Sequence, residues 1–216
     1  MAHFAALSAD IVARNLERVK ERIANAGGDP AKVEICAAIK YVPVGDLGAL
    51  RDAGITVVGE NRAQDLQAKH ERHRDDFTWD FIGALQSRKV KQIAPLVRLI
   101  HSVASDSALK QLEKHPVSEI LVEVNIAREE GKAGIAPENL KDFIARSPVP
   151  VTGLMTMPPL AERPEDSRPH FARLAELAAE HGLERLSMGT TQDFEVAVSE
   201  GATIVRLGTV LYEGAA

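Results

Sequence analysis

Apolar residues recur along this chain in two rhythms. The first is helical. Ile11, Val12, Leu16, Val19 and Ile23 fall at helical spacing behind Ser8, which predicts a leading helix with Ser8 as its N-cap. Gly27-Gly28-Asp29-Pro30 ends it. The second rhythm is a run of short apolar segments, at 34–39, 55–58, 79–82, 98–103, 119–124, 150–155, 185–188 and 203–207. These are the lengths of strands. Helical or polar stretches separate them, at 46–53, 62–74, 87–94, 105–114, 137–145, 168–181 and 192–199. Strand and helix alternating in this way imply right-handed crossovers and a parallel sheet. The runs at 119–124 and 203–207 are dense in Ile, Val and Leu, as strands covered on both faces are. The pattern predicts an α/β fold: a closed (β/α)8 TIM barrel with an extra N-terminal helix, one domain over residues 1–216. An open doubly wound sheet uses the same units and is the structural rival. The Pro-rich stretch at 158–166 predicts a long loop.

Composition narrows the partners more than the fold. Of 216 residues, 45% are hydrophobic and 26% charged, which excludes global disorder. Lys and Arg number 26 against 31 Asp and Glu, a net charge of −5, and this is a poor match for nucleic acid as the main partner. The lone cysteine, Cys36, sits in an apolar run and reads as a small core residue, so a cytoplasmic location is expected. Charged residues arrive too early for a signal peptide, and no stretch approaches the length of a membrane span.

In a barrel the chemistry collects at the C-terminal ends of strands. Those positions here are Lys40, Glu60-Asn61, Ala84-Leu85-Gln86, His101-Ser102, Asn125, Met155-Thr156, Gly189-Thr190-Thr191 and Gly208-Thr209. Lys40 follows an unbroken apolar run. It is either a lysine whose stem covers apolar surface or, if desolvated, a nucleophilic amine able to form a Schiff base. Gly189-Thr190-Thr191 and Gly208-Thr209 are slim enough for backbone N–H groups to approach an anion. A helix beginning near Gln192 would add its dipole. The plainer reading makes Thr191 an N-cap and Gly208 a turn. His101 at a strand end is a base, a ligand or a structural residue. His70, His73, His115, His170 and His181 fall in polar stretches and read as solvated. No cysteine or histidine cluster has metal-site spacing. Arg88, Lys89 and Lys91 read as a solvated helix face.

Several segments occur in a telling order: Ala38-Ile39-Lys40, Gly59-Glu60-Asn61, Phe81-Ile82-Gly83, Leu85-Gln86-Ser87, His101-Ser102-Val103, Val124-Asn125-Ile126, Glu130-Gly131-Lys132-Ala133-Gly134, Gly153-Leu154-Met155, Leu186-Ser187-Met188-Gly189 and Val205-Arg206-Leu207-Gly208-Thr209. Together they resemble the pyridoxal-phosphate homeostasis protein family, whose members look like the N-terminal barrel of alanine racemase standing alone. The resemblance implies that Lys40 carries pyridoxal 5'-phosphate as an internal aldimine. It implies phosphate contacts from Ser187, Gly189 and Thr191 on one side and from Gly208 and Thr209 on the other. Asn61 would lie near the ring, with Met155 a neighbour, and Arg206 would face the pyridine nitrogen. Arginine has only donors, so a ring nitrogen accepting from it is unprotonated and the cofactor is a weaker electron sink.

The chain departs from the family where Ala84 replaces a frequent histidine and where Thr190-Thr191 replaces Met-Ser. Tyr41-Val42-Pro43-Val44 lacks the racemase continuation after the lysine. The resemblance implies a non-catalytic cytoplasmic cofactor carrier, a monomer, whose partners are pyridoxal phosphate and apo-enzymes that use it. The rival with the same cofactor is an amino-acid racemase, which needs a second base such as Tyr41, Tyr212 or His101. A sugar-phosphate barrel without pyridoxal phosphate is the third reading. Eight units fill nearly all of the 216 residues, which favours binding over a two-domain racemase.

Overall fold

The structure is a computed structural model and describes residues 7–214. Its parallel strands are β1 (Glu34–Ala38), β2 (Val57–Glu60), β3 (Thr78–Phe81), β4 (Leu99–Val103), β5 (Glu119–Glu123), β6 (Val151–Met155), β7 (Arg185–Thr190) and β8 (Ile204–Leu207). Each pairs with the next, and β8 pairs back onto β1 with Ile35 opposite Val205 and Cys36 opposite Arg206. That last ladder closes the barrel and excludes the open sheet. The helices are α1 (Ala9–Asn25), α2 (Leu47–Asp52), α3 (Ala63–His73), α4 (Val90–Ile93), α5 (Asp106–Lys114), α6 (Leu140–Ala145), α7 (Arg168–Glu180), α8 (Phe194–Ser199) and α9 (Thr209–Tyr212).

Every predicted strand forms, with shifts that have physical causes. β2 starts two residues late and runs on through Glu60, a carboxylate that hydropathy excludes but a buried lysine partners. The 87–94 stretch is not one helix. Pro95 stands in its continuation, and the segment divides into a 3-10 turn (Ser87–Lys89), α4 and a second 3-10 turn (Ala94–Leu96). Ser8 occupies the N-cap of α1 but its hydroxyl makes no capping bond; its carbonyl accepts from the Ile11 and Val12 amides instead. Gly27, at φ +87°, turns the chain so that the Gly28 amide can close onto the Ile23 carbonyl. The 158–166 loop ends in a 3-10 turn (Pro164–Ser167) fastened by Arg163 and Asp166.

The apolar residues divide into two cores. The larger fills the layer between strands and helices and includes Val12, Leu16, Val19 and Ile23 of α1. Asn15 ties α1 to the end of the chain by donating to the Leu211 and Glu213 carbonyls. The smaller core lies inside the barrel, where Cys36, Val57, Leu99, Leu121, Met155 and Ile204 meet. Cys36 is a core residue as expected, and burial pushes its thiol pKa up. Below this layer, toward the N-terminal ends of the strands, the interior is closed by ion pairs. Arg98 pairs with Glu34 and Asp80, both at 2.7 Å, and Arg185 pairs with Glu34 and Glu119.

Candidate functional site

Above the apolar layer the interior turns polar again, and here a buried cation and a buried acid lie near each other without a direct ion pair. Arg206 of β8 is buried, 5% exposed. Its Nη1 donates to the Ser187 carbonyl at 2.7 Å and to Ser187 Oγ at 2.6 Å; its Nη2 donates to the Thr156 carbonyl at 2.9 Å and lies 2.8 Å from Met157 Sδ. All four acceptors are neutral. Among the described residues no carboxylate lies within ion-pair distance of this guanidinium, and burial pushes its pKa down against the more distant pull of Glu123 and Asp193. Glu123, at the end of β5, is the nearby acid. Burial raises its pKa, and its carboxyl has no hydrogen-bond partner among the described residues.

A chain of polar groups connects Arg206 to the floor of the barrel. His101 is wholly buried, with Nε2 3.2 Å from Asp80 Oδ2 and Nδ1 2.8 Å from Ser187 Oγ. Burial lowers the His101 pKa against the opposing pull of Asp80, which favours the neutral ring. A carboxylate only accepts, so Nε2 carries the proton, Ser187 donates to Nδ1, and Ser187 Oγ in turn accepts from Arg206. Of the three roles open to His101, this geometry supports the structural one.

At the exits of β1 and β2 the structure brings Lys40 and Asn61 to neighbouring strand ends. Lys40 is solvent-exposed rather than desolvated, with its ammonium 4.8 Å from the centre of the Tyr41 ring. Asn61 Oδ1 is buried without a hydrogen-bond partner. Gly83 packs against the Asn61 backbone so closely that a Cβ there would stand 2.1 Å from the Asn61 carbonyl oxygen. Beside Asn61, a cavity of about 120 Å³ is lined by Ala84, Phe81, Gln86 and Lys89.

The two slim loops lie beside each other at the ends of β7 and β8. Thr191 Oγ1 accepts from the Gly208 amide at 3.3 Å and from Val210 at 3.5 Å, so it joins the loops. Gly189 has φ +89°, and a Cβ there would meet Ala197 Cβ at 2.6 Å, so glycine is required by the backbone and by α8. Gly208 has no such constraint. Thr209 is exposed and opens α9, a short helix for which no element was predicted. The Thr191 N-cap reading is corrected. Helix α8 begins at Phe194, with Asp193 at its N-cap position, and the Asp193 carboxylate accepts from Thr190 N at 2.8 Å. The α8 terminus therefore stands farther from Thr191 than expected. Ser187 sits lower than the loops, with its hydroxyl engaged by His101 and Arg206. Met155 belongs to the interior core.

Sequence reasoning missed Glu60 as a buried anchor, Lys69, and the Asp80–His101 pair. For Lys69 a signal existed: it shares the Ala63–Leu66 stripe of α3 and falls on the buried face. His70 and His73 were read as solvated; His70 packs against Trp79, and His73 bonds to Asp76 and the Val44 carbonyl. No group of three metal-ligating side chains occurs among the described residues.

Fold and mouth together define a (β/α)8 barrel with a lysine at the first strand end and a buried, unpaired arginine on the last. The alanine racemase N-terminal domain family matches residues 7–216. A pyridoxal phosphate homeostasis protein of Aquifex aeolicus is 41% identical over 217 residues, 93% of this chain and 95% of its own. Its counterpart in Pseudomonas aeruginosa is 36% identical, covering 94% of each chain. PipY of Synechococcus elongatus, solved with PLP bound, superposes with a TM-score of 0.74 at 30% identity, over 90% of this chain and 99% of that one. The chain belongs to the pyridoxal phosphate homeostasis protein family. No helix among the described residues is long and apolar enough to cross a membrane.

Proposed function

We propose that this barrel, acting as one domain, binds pyridoxal 5'-phosphate at its mouth and holds it covalently through Lys40 without catalytic turnover, as a cytoplasmic carrier in the control of the free cofactor. The observation that carries this reading is Arg206: a buried guanidinium bonded only to neutral acceptors. A cation left this way is favoured by an electron-rich, anionic ligand. Two further features fit the cofactor. Asn61 Oδ1 is a buried acceptor without a donor, and Gly208 and the exposed Thr209 stand beside the Thr191 loop.

Bound pyridoxal phosphate supplies an aldehyde carbon that condenses with a primary amine. The other roles belong to the chain. Lys40, exposed at the mouth, offers that amine. Arg206 would donate to the ring nitrogen, and because a guanidinium only donates, that nitrogen would stay unprotonated and carbanion chemistry would be restrained. Gly189, Thr191, Gly208 and Thr209 would hold the phosphate, and Ser187 orients Arg206 from below. The racemase alternative needs a base facing Lys40 from the opposite side of the ring. Tyr212 is buried with its hydroxyl directed at the Ala38 carbonyl, His101 is bonded on both nitrogens, and Tyr41 packs against Lys40 itself. These placements favour the carrier. Delivery to apo-enzymes and a monomeric state are part of the same proposal.

Adding pyridoxal phosphate to the purified protein should produce an absorbance band that borohydride bleaches, with the reduced adduct mapping to Lys40. Lys40→Ala should lose the adduct. An adduct that persists in Lys40→Ala, or failure of the wild type to bind the cofactor, would refute the assignment. Sustained loss of optical activity from an amino-acid panel would replace the carrier with the racemase.

A further inference from the structure

Glu60 and Lys69 form an ion pair of 2.5 Å with both side chains buried, and the mechanism above does not use them. Stability alone does not account for such a pair. Desolvating two charges cancels most of their attraction, and apolar residues of similar volume are often as good or better. What distinguishes this pair is the remaining valences. Lys69 Nζ also donates to the Ile39 carbonyl at 2.7 Å, the peptide that leads into Lys40. Glu60 Oε2 accepts from the Asn61 amide at 2.6 Å and from the Arg62 amide at 3.3 Å. One lysine and one carboxylate thus grip the backbone at two neighbouring strand exits, immediately before Lys40 and at Asn61.

Both exits need such a grip. Past Ala38 the β1–β2 ladder retains the Ile39 amide bond to the Gly59 carbonyl, and Lys40 already lies in a turn. On the other side, Gly83 packs against Asn61 with no room to spare, so Asn61 can move only away from it. Helix α3, which supplies Lys69, is held in the larger core by Ala63 and Leu66. The clamp therefore refers both exits to a rigid element outside the barrel.

We infer that Glu60 and Lys69 are positioning residues, which set the separation and direction of Lys40 and Asn61 through the backbone and touch no ligand. This rests on Lys40 and Asn61 being the cofactor-binding residues. A displacement near 1 Å at a reacting group costs up to about a hundredfold in rate, so a slackened clamp should appear in cofactor capture.

The test compares two variants without a buried unpaired charge. Glu60→Leu/Lys69→Met removes both grips. Glu60→Gln/Lys69→Met keeps an acceptor for Asn61 and releases Ile39. Each is measured for thermal unfolding without ligand, for pyridoxal phosphate affinity, and for the rate at which a borohydride-trapped adduct accumulates. Unfolding should stay within about 4 °C of wild type, the shift of roughly 1 kcal/mol in a chain of this size. The first variant should bind about tenfold more weakly and trap the adduct about tenfold more slowly, with the second variant between it and wild type. A folded double variant that binds and traps like wild type overturns the inference. So does failure of both variants to fold, which would make the pair structural. Lys40→Ala run alongside separates the two claims: an adduct that survives there refutes the Lys40 assignment whatever the clamp variants do.

Discussion

Arg98 and Arg206 both reach into the barrel, from opposite ends, and the protein treats them oppositely. Arg98, at the N-terminal floor, makes bidentate contact with Glu34 and a second pair with Asp80. Its hydrogen bonds to Glu34, and those to Asp80, hold its pKa above the ordinary arginine value against the opposing effect of burial. Arg206, near the mouth, has four neutral acceptors and no carboxylate, and burial drives its pKa the other way. The floor is complete within the chain; the mouth is left with an unpaired cation and an unpartnered Asn61 acceptor. Residue type alone does not separate an arginine neutralised within the chain from one left without an ion-pair partner. The balance of charge around it does.

The largest effect that would break this comparison lies at the floor. Arg98→Met leaves the fully buried Asp80 carboxylate with only its bond from His101 and removes one partner of Glu34. We expect a loss of about 3 kcal/mol, at the low end for a broken buried pair because Arg98 keeps some solvent contact. Urea unfolding of the cofactor-free protein measures it. A loss below about 1 kcal/mol, the size of an exposed pair, would mean that the floor is not held by these charges.

A smaller effect sits between the two ends, at His101. Its folded pKa is lowered by burial below the ordinary 6.5. Between those two values the unfolded chain binds a proton that the folded chain does not, so stability is fully present above about pH 6.5 and declines as pH falls toward the folded value. The slope from one group cannot exceed about 1.4 kcal/mol per pH unit. His101→Gln should flatten that part of the pH profile. An unchanged profile would show that His101 is not held neutral and that the Asp80–His101–Ser187 chain does not link floor to mouth.

These polar groups also mark the limit of what the sequence could reveal. Strands were legible because runs such as 119–124 and 203–207 are apolar on both faces, and a barrel followed from eight of them. Lys40, Asn61, Gly189 and Gly208 were candidates because strand ends are where barrels place chemistry, and the structure does set them at the ends of their strands. Asp80, inside Thr78–Phe81, and Glu60, at the end of β2, were not. Each is a carboxylate where hydropathy expects apolar residues, and each is permitted by a partner distant in the chain, Arg98 or Lys69. Periodicity registers the position of a residue on its own element and carries nothing about the residue that will neutralise it. The same blindness hid the difference between Arg98 and Arg206.

The central claim is that the mouth is left electrostatically incomplete for a ligand, and Arg206→Met tests it most directly. Unfolding of the cofactor-free variant and its affinity for pyridoxal phosphate should be measured on one preparation. Removing an unpaired buried cation offsets the loss of its bonds to Ser187 and Thr156, so stability should change by less than about 1 kcal/mol. Affinity should fall by about ten- to a hundredfold, the value of a hydrogen bond from a charged donor. Unchanged affinity together with a stability loss as large as that of Arg98→Met would contradict the account and make Arg206 a second structural arginine.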